Sequence, residues 1–294
     1  MEQYNFVNII ILEKSILYVI RNKYIVFNIF FKKAIYILLR IICKRFKDVR
    51  KWLPDQLDSN REHQIDDKHF NEYCTNKCKD PLDKINAGCL YLLNEFFRDS
   101  SAFDEVAKKN IYIVQYILIW LSYMLNLDKS GDENIIESFY NTYITNSDKY
   151  TNNMKYIIRY NGYKDLIDEN NYILSMDMSI IAKLYVVFNT LCDIYNELDT
   201  NNSNCTQFSG KASQFIEKYE QFTKDHDITE DNSNFDVLIY LLNDYANLKN
   251  KCKDFPSVPD ITNMISEHVS EVTSSSSIAS KLIPILSILE FLIR

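Results

Sequence analysis

The sequence predicts an all-α protein: a single multi-helix globular domain followed by a truncated transmembrane-like segment. Three observations predict it. Apolar residues recur at helical spacing along most of the chain. Only 4 Gly and 5 Pro occur in 294 residues, too few to turn many short strands. The hydrophobic fraction is 47% and the charged fraction 25%, and a chain of this length buries a large core without metals or staples. Asn, Lys, Ile, Tyr and Phe are heavily used and have A/T-rich codons, so their abundance reports codon bias before it reports function.

The helices follow in order. Cys43–Leu53 is short and ends at Pro54. Asp66–Lys77 places Phe70 and Tyr73 on one side. Pro81 opens the next helix as a first-turn proline. Within it Leu82, Ile85, Cys89, Leu92, Leu93 and Phe96 share one face. Asn110–Leu127 is the most apolar and is predicted as the buried central helix. Its Gln115, Ser122 and tyrosines then need polar partners. Asp132–Thr145, Asn153–Tyr160, Tyr163–Asn170, Asp177–Leu198, Lys211–His226 and Asn234–Lys251 complete the set. In the last, Phe235, Leu238, Leu242, Tyr245 and Leu248 form an apolar stripe that reads as core packing.

The ends differ from this pattern. Residues 1–42 form an Ile-rich extension with only Glu2 and Glu13 acidic. Its charge-free runs are shorter than the ~20 residues that span a bilayer. A membrane-surface helix or an uncleaved anchor would suit it, and translated non-coding sequence suits it better. The helical domain is expected over residues 43–254. Residues 255–277 read as a linker rich in Ser and Thr, with Pro256 and Pro259 and the run Thr273–Ser277. Residues 278–294 resemble a transmembrane helix cut short, with only Leu282–Leu289 free of charge between Lys281 and Glu290.

Little in the sequence points to catalysis. Net charge is −7, which argues against nucleic acid as a partner. The basic run Lys44, Arg45, Lys47, Arg50, Lys51 reads as a solvated helix face. Gly88, Gly131, Gly162 and Gly210 are isolated and cannot build a phosphate loop. His63, His69, His226 and His268 are scattered, and no Ser or Cys has a nucleophile motif around it. Asp66-Asp67 and Glu230-Asp231 sit at helix starts, where they complement the helix dipole. No cofactor is implied. Two sequons, at Asn201 and Asn204, fall in a polar loop and carry little weight in an Asn-rich chain.

The cysteines are the candidate site residues. They are Cys43, Cys74, Cys78, Cys89, Cys192, Cys205 and Cys252. Six pairing into three disulfides with one free thiol would suit an oxidising compartment. Reduced, buried thiols acting as small apolar residues are the alternative. Cys74, Cys78 and Cys89 lack the second tight pair of a zinc site. Cys74 and Cys78 are expected on one helix face, each open to a partner from elsewhere.

Beyond these readings, the chain resembles a known family. The segments FKDVRKWLPDQLD (46–58), NEYC (71–74), LDKINAGCLYLLNEFF (82–97), YILIWLSYMLNL (116–127), FYNTYI (139–144), YKDLID (163–168) and SSSSIASKLIPILSI (274–288) carry the resemblance. They resemble the Plasmodium interspersed repeat (PIR) variant antigens, particularly the rodent-malaria branch, over roughly residues 43–287. The resemblance implies a helical ectodomain, a single C-terminal transmembrane helix and a short basic tail. It further implies a non-enzymatic antigen of the infected erythrocyte, its surface, or parasite-side membranes. Antigenic variation, immune evasion and adhesion to an unknown host protein or cell-surface ligand are the implied roles. A family member begins only a few residues before the position of Cys43, which makes residues 1–42 an addition. Because LEFLIR ends the chain early, the alternatives are a non-anchored helical remnant or an intracellular scaffold with reduced thiols.

Overall fold

A computed structural model describes residues 35–56, 72–74, 77–97, 112–127, 134–151, 160–198, 205–225 and 234–257. Every regular element among these residues is helical, so the fold is all-α. The helices expected over most of 66–77 and over 153–160, the linker beyond 257, the C-terminal segment, all four histidines and both sequons lie outside them.

Helix α1 spans residues 35–52. Its buried side chains are Leu38, Leu39, Ile42, Cys43, Phe46 and Val49, followed by Leu53, which is one continuous 3.6-period stripe. The stripe therefore starts upstream of Cys43, and at the other end Phe255 is buried too. Apolar spacing does not break at Cys43, so Leu38, Leu39 and Ile42 continue the same buried face.

Helix α2 spans Pro81–Phe97. Asp80 precedes its first-turn proline, and the Asp80 carboxylate accepts the backbone N–H of Asp83 at 2.8 Å. That bond satisfies one of the orphan donors of the first turn. Helix α3, Tyr112–Leu127, buries twelve of its sixteen residues and is the central element, as its sequence predicts. Gly88 of α2 is where the two helices close on each other. A Cβ there would lie 2.8 Å from the Trp120 ring of α3.

Beyond α3 the chain becomes short and irregular. Helix α4, Ile135–Phe139, runs into a π-helical stretch, Tyr140–Thr145, where a uniform α-helix was expected. Helix α5 is Asp148–Thr151 and α6 is Tyr163–Glu169. Gly162 precedes α6 with an extended backbone, and a Cβ on it would fall 2.2 Å from the Tyr150 carbonyl oxygen. Only a residue without a side chain lets the two segments pass so closely. A 3₁₀ turn, Asn171–Ser175, then leads to the N-cap Asp177, whose side chain accepts from the Ser179 N–H at 2.7 Å.

Helix α7, Met178–Glu197, is long and apolar enough to cross a membrane by length and composition alone. It is instead a core helix here, packed against α3 and against α8, Ser209–Asp225. A 3₁₀ turn, Cys205–Phe208, introduces α8. Helix α9, Asn234–Lys251, closes the bundle on α7 and α3.

Candidate functional site

Six of the seven cysteines are joined. Cys43 of α1 bonds Cys192 of α7, with Cα atoms 4.8 Å apart and a separation of 149 positions in sequence. Around that bond Phe46 meets Phe188 edge-on at 4.8 Å, and the Asn196 amide donates to the Cys43 carbonyl at 3.1 Å. Cys205 bonds Cys252, tying the 3₁₀ turn before α8 to the residue after α9. Both are well-spaced covalent links between separate elements.

Cys74–Cys78 is different in kind. It bridges two cysteines four residues apart, with Cα atoms at 5.1 Å. Residues 72–74 and 77–80 are turns and bends, not helix. Lys77 and Cys78 take φ of 59° and 49°, left-handed values that a helix interior excludes. The expectation that each cysteine awaits a distant partner from one helix face is therefore overturned. The loop folds back and the two close on each other. On one side the Lys149 ammonium of α5 donates to the carbonyl oxygens of Glu72, Tyr73 and Cys74 at 3.3, 3.1 and 3.4 Å.

Cys89 is the free thiol, fully buried within α2. Burial pushes its pKa up to about 12, with the Tyr150 hydroxyl opposing in part. Since the thiolate is the reactive form, Cys89 is chemically quiet at neutral pH. With Cys74 and Cys78 bonded to each other, the three cysteines cannot form a zinc set. Among the described residues no group of three His, Cys, Asp or Glu is placed to hold a metal ion.

The buried polar groups are structural ties. Asp244 of α9 is 3% exposed. The Tyr116 hydroxyl of α3 donates to its carboxylate at 2.6 Å, and the Tyr195 hydroxyl of α7 donates to its backbone carbonyl at 2.7 Å. Burial raises its carboxyl to about 7, with the Tyr116 bond pulling the other way. Three helices thus meet at one acid. The sequence reading missed it, although the signal was present: Asp244 lies in helical register with Val237, Leu241 and Leu248, all buried. Gln115 finds Asn170 at 3.3 Å, whereas Ser122 Oγ and Trp120 Nε1 have no partner among the described residues.

The basic run of α1 divides by helical phase. Arg45 turns inward along the helix flank to Glu95 at 2.7 Å, and Arg50 to Asp55 at 3.0 Å and Asp193 at 3.5 Å. Lys44, Lys47 and Lys51 face solvent, and Arg40 is half-buried on the same side.

The model of the Plasmodium variant antigen protein Cir/Yir/Bir family matches residues 43–293. The chain belongs to that family. Among solved structures it is similar to a Plasmodium PIR protein ectodomain, at 29% identity and a TM-score of 0.59. That likeness covers 75% of this chain and 96% of the other. No curated protein matches. The membership is in keeping with the helical fold.

Proposed function

We propose that this PIR-family chain is a non-enzymatic variant antigen, displayed on or exported into the infected erythrocyte. There it would serve antigenic variation, immune evasion or contact with a host protein or cell-surface ligand. A complete C-terminal apolar segment would supply the membrane attachment. The observation that carries the reading is the family match over residues 43–293, which spans nearly all of the described domain. Three disulfides support it, because such bonds persist in oxidising, extracellular settings. The quiet, buried Cys89 and the structural use of Asp244 are in keeping with binding rather than catalysis.

The test is antibody labelling of intact infected cells, without permeabilisation, using sera against the folded domain. Surface or host-cytoplasmic label is expected. Label confined to the parasite interior, with all thiols free on peptide mapping, would overturn the reading.

A further inference from the structure

The exposed face of α1 carries a concentration of positive charge that the rest of the chain does not share. We propose that this face is a docking surface for an anionic lipid bilayer. Arg40, Lys44, Lys47 and Lys51 fall at i, i+4, i+7 and i+11. That spacing puts them on one strip of the helix, about 16 Å long at 1.5 Å per residue. Lys44, Lys47 and Lys51 are exposed, and Arg40 is half-buried. None of the four has a carboxylate partner among the described residues, whereas Arg45 and Arg50 on the flanks are all engaged in ion pairs. The helix has therefore spent its inward-facing cations on the fold and left the outward ones unneutralised.

The charge context sharpens this. The whole chain has a net charge of −7, yet from Lys14 to Lys47 it holds nine Lys and Arg and no Asp or Glu. An acidic protein with one unpaired basic strip presents that strip to a negative surface. The apolar part points to lipid rather than to a soluble polyanion. Ile37 continues the strip upstream and is 46% exposed, one of only two large apolar side chains so exposed among the described residues. Ile41 beside it is half-buried. An isoleucine at the end of a lysine strip can enter the headgroup boundary while the ammonium groups meet anionic lipid. A sulfated polymer or nucleic acid would gain nothing from Ile37.

The test uses the full chain with its disulfides intact and vesicles of phosphatidylcholine, with and without phosphatidylserine. The quantity read is the ratio of the two partition coefficients, which cancels binding by other apolar segments. Each basic residue near an anionic surface contributes about fivefold in affinity at ~1 kcal/mol. The triple variant Lys44→Gln, Lys47→Gln, Lys51→Gln is thus expected to lower the ratio on the order of a hundredfold. The control Lys79→Gln, Lys224→Gln, Lys253→Gln changes net charge equally at exposed sites elsewhere and is expected to leave the ratio unchanged. Ile37→Asn should weaken binding without changing its salt dependence. Circular dichroism checks that each variant folds. An equal loss in the control, no preference for phosphatidylserine, or strip-dependent binding to heparin without vesicle binding would each overturn the proposal.

Discussion

Two regions of this domain are held together by different physics. In one, α1, α3, α7 and α9 are clamped by large buried apolar faces, with Cys43–Cys192 as a covalent brace between α1 and α7. In the other, α4 with its π-helical extension, α5 and α6 are short pieces that each place only a few side chains in the core, among them Phe139, Ile144, Tyr150, Leu166 and Ile167, and add polar bonds to them. Tyr143 donates to Asp83 at 3.0 Å, Tyr150 to Asn86 at 2.8 Å, Tyr163 to Asn94 and Tyr140 to Asp168. Four tyrosines thus hook the flank onto α2 and onto itself. The difference teaches where cooperativity comes from. Elements this short bury few apolar side chains each, so they lean in addition on specific donors and on close backbone approach, as at Gly162.

The comparison is broken most directly by removing Cys43–Cys192. In the chain-entropy account, the cost of losing a cross-link rises with the length of loop it closes. A double variant Cys43→Ala, Cys192→Ala is expected to lose about 2–5 kcal/mol in denaturant unfolding, as a single cooperative shift. A change restricted to the 72–80 flank would show that the brace belongs to the wrong region.

The next effect concerns pH. Asp244 has a raised carboxyl pKa in the folded protein, about 7 against about 3.9 when unfolded. The folded state therefore holds a proton that the unfolded state has released. The stability from this group is fully present below about pH 4 and is lost as pH rises through about 7. Asp244→Asn keeps an acceptor for Tyr116 and cannot ionise. Subtracting its stability from that of the native chain isolates the group from the other carboxylates. The difference should move against the native protein by on the order of 2–4 kcal/mol between pH 5 and pH 8. A flat difference would mean that Asp244 reaches solvent or a cation.

These two regions also mark what the sequence could reveal. The long helices were legible because Ile85, Cys89, Leu92, Leu93 and Phe96, or the near-total apolarity of Tyr112–Leu127, state their period outright. The flank was not. Nothing in the spacing of Cys74 and Cys78 distinguishes a shared helix face from a closed loop, because i and i+4 serve both. The left-handed values at Lys77 and Cys78 have no glycine to announce them. Asp244 was legible in principle and was masked by the apolar stripe around it. The division of the α1 basic run into paired and unpaired members needed the positions of Glu95, Asp55 and Asp193, which sequence order does not supply.

Gly88 sharpens the picture on the tightly packed side. Alanine is the better helix former by about 1 kcal/mol, so Gly88→Ala should stabilise an isolated α2. In the folded domain its Cβ would meet the buried Trp120 ring at 2.8 Å. Overpacking of this kind costs about 1–3 kcal/mol. The expected outcome is a net loss, with a changed Trp120 fluorescence. A rise in melting temperature would show that the α2–α3 seam relaxes readily, making the core less rigid than its burial implies.

Lys149 tests the opposite side with the smallest effect. Its ammonium is the common donor to the three carbonyls of residues 72–74, so it orients that strand of backbone ahead of the Cys74–Cys78 closure. Charged donors are worth more than neutral ones, about 1.5–3 kcal/mol when buried. Lys149 is partly exposed, and water can replace it at the carbonyls, so Lys149→Met is expected to cost only about 1 kcal/mol. The informative readout is local. Amide exchange should accelerate in residues 72–80 and in α5 while α3 and α7 keep their protection, because the flank can open without the core. Reducing Cys74–Cys78 alone opens a cross-link that spans only four positions in sequence and should produce the same local pattern. If Lys149→Met instead lowered protection throughout α3, the flank and the core would be one cooperative unit, and the division between apolar clamp and polar hooks would be wrong.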